Sequence, residues 1–81
     1  MPYIDAESRA RLADGSLAQT PGELNYVLTQ VVLEYSIRMG STYRAYNDCL
    51  GALEGAKLEF YRRLVTPYEN RKITENGDVY R

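Results

Sequence analysis

Hydrophobic residues recur every three or four positions between Pro21 and Pro67, the spacing that places side chains on one side of an α-helix. In the second half of this stretch the large residues of the pattern are Tyr43, Tyr46, Leu50, Leu53, Lys57, Phe60 and Leu64. The first half repeats the pattern between Leu24 and Met39. The pattern therefore predicts two long helices, at about residues 21–39 and 42–65.

Capping residues mark the ends of both long helices. Thr20-Pro21-Gly22-Glu23 has the order of a capping box, with proline at the first helical position. Gly40 suits the end of the first helix, and Ser41 or Thr42 suits the start of the second. Because so few residues separate the helices, we expect them to form an antiparallel hairpin.

A short helix is predicted at each end of the hairpin. Asp5 can cap a helix at about residues 5–13, and Asp14-Gly15 can end it. Thr66-Pro67-Tyr68-Glu69 repeats the start signal, so the second long helix should end or kink there, followed by a helix at about residues 67–75. The predicted fold is all-α, with residues 1–81 forming a single helical domain.

Two features near the C-terminus predict packing. Small residues form a second stripe on the second long helix, for which we predict helix packing and self-association: Cys49, Gly51, Ala52, Gly55 and Ala56. The hairpin helices are expected to touch most closely at Ala52, Gly55 and Ala56. Val79 and Tyr80 are unusual in a solvated tail, so we expect the tail to be part of the fold or of a dimer contact.

Length and tyrosine content favour a partner. A chain of 81 residues has a small core, yet it contains eight tyrosines, one phenylalanine and no tryptophan. Tyrosine joins a large apolar ring to a polar hydroxyl, and it is common where a surface is buried against another protein. We therefore expect a homodimer or a higher homo-oligomer, with two-fold pairing as the commonest form.

Composition disfavours several classes of function. The formal net charge of −1 argues against general nucleic-acid binding. The absence of histidine and the single cysteine remove most zinc sites and catalytic triads, and no carboxylate pair has the spacing of a magnesium site. We therefore predict a protein that is not an enzyme and binds no cofactor or metal. The N-terminus shows no signal-peptide pattern, so we expect a cytoplasmic protein.

Charged and aromatic residues in the second half, together with Tyr26, are candidates for partner binding. They are Tyr26, Lys57, Tyr61, Arg62, Arg63, Tyr68, Arg71, Lys72, Asp78 and Tyr80. The charged band at residues 54–63 has two interpretations: a solvated helix face carrying Glu-to-Lys and Glu-to-Arg pairs, or a clamp for an anion such as phosphate. Lys57 favours the second, because it interrupts the apolar stripe.

Six motifs in order carry a resemblance to a known family: MPYI at the start, GELNY at 22–26, GxLE at 51–54, KxEFYRR at 57–63, PYE at 67–69 and NGDVY at 76–80. The chain resembles, over nearly its whole length, a group of small proteins from phage, prophage and bacterial genomes with no assigned activity. Residues 13–19 form a shorter segment than the resemblance implies. The resemblance implies a phage setting, in which small proteins often inhibit a host system.

Three functional hypotheses follow. The first is a self-associating phage accessory protein that binds or inhibits a host protein or takes a small anionic ligand. The second is a monomeric inhibitor of a host defence complex, of the anti-CRISPR kind. The third is a nucleotide or nucleic-acid binder that uses a local basic patch.

Overall fold

The computed structural model describes residues 1–80, and within them every regular element is helical. The elements are α1 (Ala6–Ala13), α2 (Pro21–Arg38), α3 (Tyr43–Phe60), a π-helical segment (Tyr61–Val65) and α4 (Thr66–Asn76). The all-α class is confirmed. The chain divides into two compact units, the first ending at Cys49 and the second beginning at Leu50. The single domain over residues 1–81 stays a prediction.

In the first unit, α1 has the cap that the sequence predicts. The Asp5 carboxylate accepts a hydrogen bond of 2.8 Å from the backbone N–H of Ser8. The residues before α1 lie against the start of α2, where a Cβ added at Gly22 would be 3.2 Å from the carbonyl oxygen of Met1. Glycine at this position therefore allows the N-terminal segment, which has no regular structure, to approach the α2 backbone closely.

The capping box of α2 forms in one direction only. The Thr20 hydroxyl accepts a hydrogen bond of 3.1 Å from the backbone N–H of Glu23, as predicted. The Glu23 carboxylate, however, accepts from the backbone N–H of Gln19 at 2.9 Å and from the guanidinium of Arg11. The reciprocal bond to Thr20 expected of a capping box is thus replaced, because Glu23 is drawn toward the cation on α1.

The turn between α2 and α3 is built around a glycine in the left-handed region. Gly40 has a φ of 91°, and the backbone N–H of Ser41 donates to the carbonyl of Ser36 at 2.8 Å. This is the bonding pattern of a Schellman motif, which satisfies the last carbonyls of a helix. Thr42 then caps α3, its hydroxyl accepting from the backbone N–H of Ala45 at 3.2 Å.

The two hairpin helices meet close to the turn. Ala45 is only 2% exposed and is the one buried hydrophobic side chain among residues 1–80. The Cys49 thiol donates to the carbonyl of Val32 at 3.3 Å, and the Tyr35 hydroxyl donates to the Asp48 carboxylate at 3.1 Å. Cys49 is thus a partly buried packing residue, in keeping with its predicted structural role.

The later part of the small-residue stripe is exposed. Gly51, Ala52, Gly55 and Ala56 are all exposed, and a Cβ added at Gly51 or Gly55 would meet no other heavy atom within 4 Å. The expected helix contact at Ala52, Gly55 and Ala56 and the self-association role of the stripe stay predictions.

Replacing Gly55 with alanine tests whether this position is open. A helical glycine is destabilising by roughly 0.5–1 kcal/mol relative to alanine, and the added methyl group has free space, so the substitution should raise the free energy of unfolding by about that amount. Chemical denaturation at low protein concentration measures it. Gly77→Ala is the matched control and should destabilise, because Gly77 has a φ of 87°. A loss of stability in Gly55→Ala would show that the methyl group meets a neighbour.

The helix cap predicted at Thr66 does not form, although a helix does begin there. Val65 and Thr66 both have helical backbone angles, and no side chain caps α4. Instead, the backbone N–H of Thr66 donates to the carbonyl of Tyr61, five residues back, as in a π-helix. Pro67 removes one N–H, and its ring would press on the carbonyl four residues before it. The wider π turn lets the helix continue through the proline.

Val79 and Tyr80 of the C-terminal tail are exposed, which corrects the expectation that they pack within the fold, while a place in a dimer contact stays a prediction. Gly77 ends α4 in the left-handed region, as predicted. The Asp78 carboxylate then accepts from the backbone N–H of Tyr80 at 2.9 Å, a local turn that leaves Val79 and Tyr80 90% and 85% exposed. The last residue of the predicted tail, Arg81, lies outside the described residues.

Candidate functional site

The charged band of the second unit is a set of ion pairs along one helix. Glu59 accepts from the guanidinium of Arg62 at 2.6 Å and from that of Arg63 at 2.5 Å. The Lys57 ammonium lies 3.6 Å from the Glu54 carboxylate, and all these side chains are at least half exposed. Exposed pairs of this kind contribute at most about 1 kcal/mol each. An anion bound here would have to compete with these carboxylates.

Tyr61 is the first residue of the π segment, and its side chain is hydrogen-bonded to α4, which follows the segment. Its hydroxyl donates to the Glu69 carboxylate at 2.8 Å, linking the first residue of the segment to α4. This hydrogen bond to Glu69, with the negative charge of the same carboxylate, raises the pKa of the Tyr61 phenol. The contact joins Tyr61, a candidate binding residue, to Glu69, for which the sequence predicts a role in a helix cap.

Two cationic side chains lie over the ring of Tyr68. The guanidinium carbon of Arg71 lies 5.7 Å from the ring centroid, and the Lys72 ammonium lies 5.6 Å from it. Lys72 also pairs with Glu75 at 3.3 Å. Cation–π contacts at exposed sites contribute about 0.5–1 kcal/mol. The structure therefore brings Tyr68, Arg71 and Lys72 together, as one cluster on α4.

Tyr26 belongs to the first unit, where it lines a groove of about 570 Å³. The groove runs along α2 beside the end of α1. Its walls are Leu12, Ala13, Tyr26, Val27, Gln30, Val31, Leu33, Glu34, Ile37 and Arg38. Most of these side chains are apolar, and Glu34 and Arg38 give the groove one charge of each sign.

Arg11 and Glu23 form a junction that sequence reasoning missed. Glu23 is 8% exposed and accepts from Arg11 and from the backbone N–H of Gln19, while Arg11 also donates to the carbonyl of Leu17 at 3.1 Å. The hydrogen bond from Arg11, followed by that from Gln19, lowers the pKa of the Glu23 carboxyl. One ion pair thus ties α1, the connecting loop and the start of α2 together.

Many large apolar side chains are exposed in both units. On α2, Leu24, Leu28 and Val31 are exposed on one side, and Leu33 and Ile37 on the opposite side. In the second unit the exposed side chains include Leu50, Leu53, Leu58, Phe60, Leu64 and Ile73. A folded protein rarely leaves so many large apolar residues in water unless a partner covers them.

Neither metal ligands nor a membrane span is found among residues 1–80. Those residues contain no group of three or more Cys, Asp or Glu side chains placed to hold a metal ion. No helix within the same residues is both long enough and apolar enough to cross a bilayer.

Comparison with known families gives one match. A family model described as a domain of unknown function, DUF6899, matches residues 1–79. No curated protein and no solved structure matches the chain.

Proposed function

The chain belongs to the family DUF6899, whose description assigns no activity, and we propose that it is a non-enzymatic helical binding protein that works as a homo-oligomer. The observation that carries the proposal is that Ala45 is the one buried hydrophobic side chain among residues 1–80. A chain with 44% hydrophobic residues has enough apolar surface for a larger core than that. A second copy of the chain can cover the apolar side chains that this small core leaves exposed.

Helix α2 supports the proposal because it carries exposed apolar side chains on two opposite sides. Leu24 and Leu28 lie on one side, and Leu33 and Ile37 lie on the other. A surface helix of a monomer normally has one apolar side, which faces the core, so a second one is available to a partner. Packing against α1 and the start of α3 covers only part of α2.

A phage or prophage origin and a host partner are further parts of the proposal. The resemblance described above supports the phage setting, and the host cell cytoplasm is then the compartment of action. Two clusters are the proposed partner surface: Tyr61 with Arg62 and Arg63, and Tyr68 with Arg71 and Lys72. Aromatic and arginine side chains are enriched in protein interfaces. A nucleotide or nucleic-acid ligand is less favoured, because carboxylates already pair with Lys57, Arg62, Arg63 and Lys72.

Sedimentation velocity of the wild-type chain over a range of micromolar concentrations tests the proposal. We expect a species with at least twice the chain mass of 9.3 kDa, and a melting temperature that rises with protein concentration. Strong salt should leave the mass unchanged, because apolar burial is not screened. A 9.3 kDa species at every concentration would contradict the proposal and favour the monomeric inhibitor instead.

A further inference from the structure

One side of α3 in the second unit carries a seam of the coiled-coil kind. Leu50, Leu53, Lys57 and Phe60 follow one another at steps of three, four and three, the spacing of positions a and d in a heptad. All four side chains are exposed. The seam ends where the π segment begins at Tyr61, because the wider turn changes the helical period.

Lys57 is the polar residue of this seam, at an a position. Its ammonium is 3.6 Å from the carboxylate of Glu54 on the same helix, and its side chain is 71% exposed. A single polar residue at an a position costs stability but specifies the register and orientation of a coiled coil. The charge therefore limits how a second helix can be placed on the seam.

We propose that the seam pairs with the same seam of a second copy in antiparallel orientation, an inference that rests on the proposed self-association. In parallel alignment, a positions face each other, and two Lys57 ammonium groups would meet. In antiparallel alignment, a positions face d positions, so Leu50 lies opposite Phe60 of the second copy and Lys57 lies opposite its Leu53. This register brings Lys57 of one copy beside Glu54 of the other, and the two-fold axis generates a second, identical pair.

The surroundings of Lys57 fit this register. Ala56 lies on the flank of the seam and, in antiparallel pairing, comes near Ala56 of the second copy. A methyl group there allows the two helices to approach closely. The charges are also self-complementary, because Lys57 of each copy lies beside Glu54 of the other. The occupant that fits the seam is thus another copy of the chain.

Exchange of the charges tests the register. Lys57→Glu puts acidic residues at both 54 and 57, and Glu54→Lys puts basic residues at both, so each variant alone should self-associate at least about tenfold more weakly than wild type. An equimolar mixture of the two variants should form a heterodimer of near wild-type affinity. Sedimentation measures each affinity, and energy transfer between labelled variants detects the mixed pair. Circular dichroism verifies that each variant stays helical.

Arg44→Glu and Glu7→Lys are the matched controls, because they make the same charge changes at exposed positions away from the seam. Alone or mixed, they should keep wild-type affinity to within about twofold. Variants at 54 and 57 that associate as wild type does would overturn the seam while leaving self-association intact. Weakened variants whose mixture does not recover would overturn the antiparallel register. A monomeric wild-type chain would instead overturn the proposed function, and this inference with it.

Discussion

Replacing Glu23 with glutamine should lower the melting temperature at neutral pH by several degrees, although glutamine keeps nearly the same shape. Glu23 is 8% exposed, and its carboxylate accepts from both Arg11 and the backbone N–H of Gln19. Glutamine cannot balance the guanidinium charge, so the partly covered Arg11 loses its counter-charge. Because this junction holds α1 on α2, loosening it also exposes Leu12 and the apolar groove.

The same substitution should reduce the acid sensitivity of the protein. The pKa of Glu23 is lowered in the folded state, so its contribution is complete above the ordinary glutamate pKa and is lost as the pH falls through the lower folded value. The wild type should lose stability over that acidic window, and Glu23→Gln should lose less. Asp5 also has a lowered pKa, from its bonds to Ser8, so part of the dependence remains.

Thermal melts at about pH 7 and about pH 3.5, at one protein concentration, separate these effects. Glu7→Gln is the matched control, because Glu7 is an exposed glutamate on α1. It should change the melting temperature little at either pH. If Glu23→Gln melts as the wild type does at neutral pH, the ion pair does not hold α1 in place.

The helices and most of their ends follow from local sequence. Asp5, Thr20, Thr42 and Gly40 act within three or four residues, so their roles can be deduced from the order of residues alone. The Arg11–Glu23 pair cannot be deduced in this way, because its members are twelve residues apart and meet only after α1 has docked. The nearest sequence signal was the capping box, which explained Glu23 without any need for a cation.

Packing was harder to predict than helicity. Small residues on α3 predict a close helix crossing, and near the turn Ala45 is buried and the Cys49 thiol donates to the carbonyl of Val32 on α2. The sequence does not show which residues of the stripe make the contact, because the same residue types occur along all of it. The candidate residues near the C-terminus present the same difficulty: Tyr61 meets Glu69 only because the π segment changes the helical register.

Replacing Pro67 with alanine should convert the π segment into ordinary α-helix and stabilise the second unit by roughly 1–3 kcal/mol. Proline in a helix interior is about 3 kcal/mol less favourable than alanine, and part of that cost is already relieved by the π turn. Pro21→Ala is the matched control, because a proline at the first turn needs no N–H and its replacement should have a small effect. Urea denaturation measures both.

The Pro67 substitution should also move Tyr61 away from Glu69. A π turn holds one more residue than an α turn, so conversion of the π segment to α-helix rotates the residues after it by about 100° around the helix axis. The 2.8 Å hydrogen bond between Tyr61 and Glu69 should therefore break. The pKa of Tyr61, raised by that bond, should then fall toward its ordinary value. A ¹³C NMR titration of labelled tyrosine, assigned with Tyr61→Phe, follows it. A Tyr61 pKa that stays raised in Pro67→Ala would mean that the π turn does not depend on the proline.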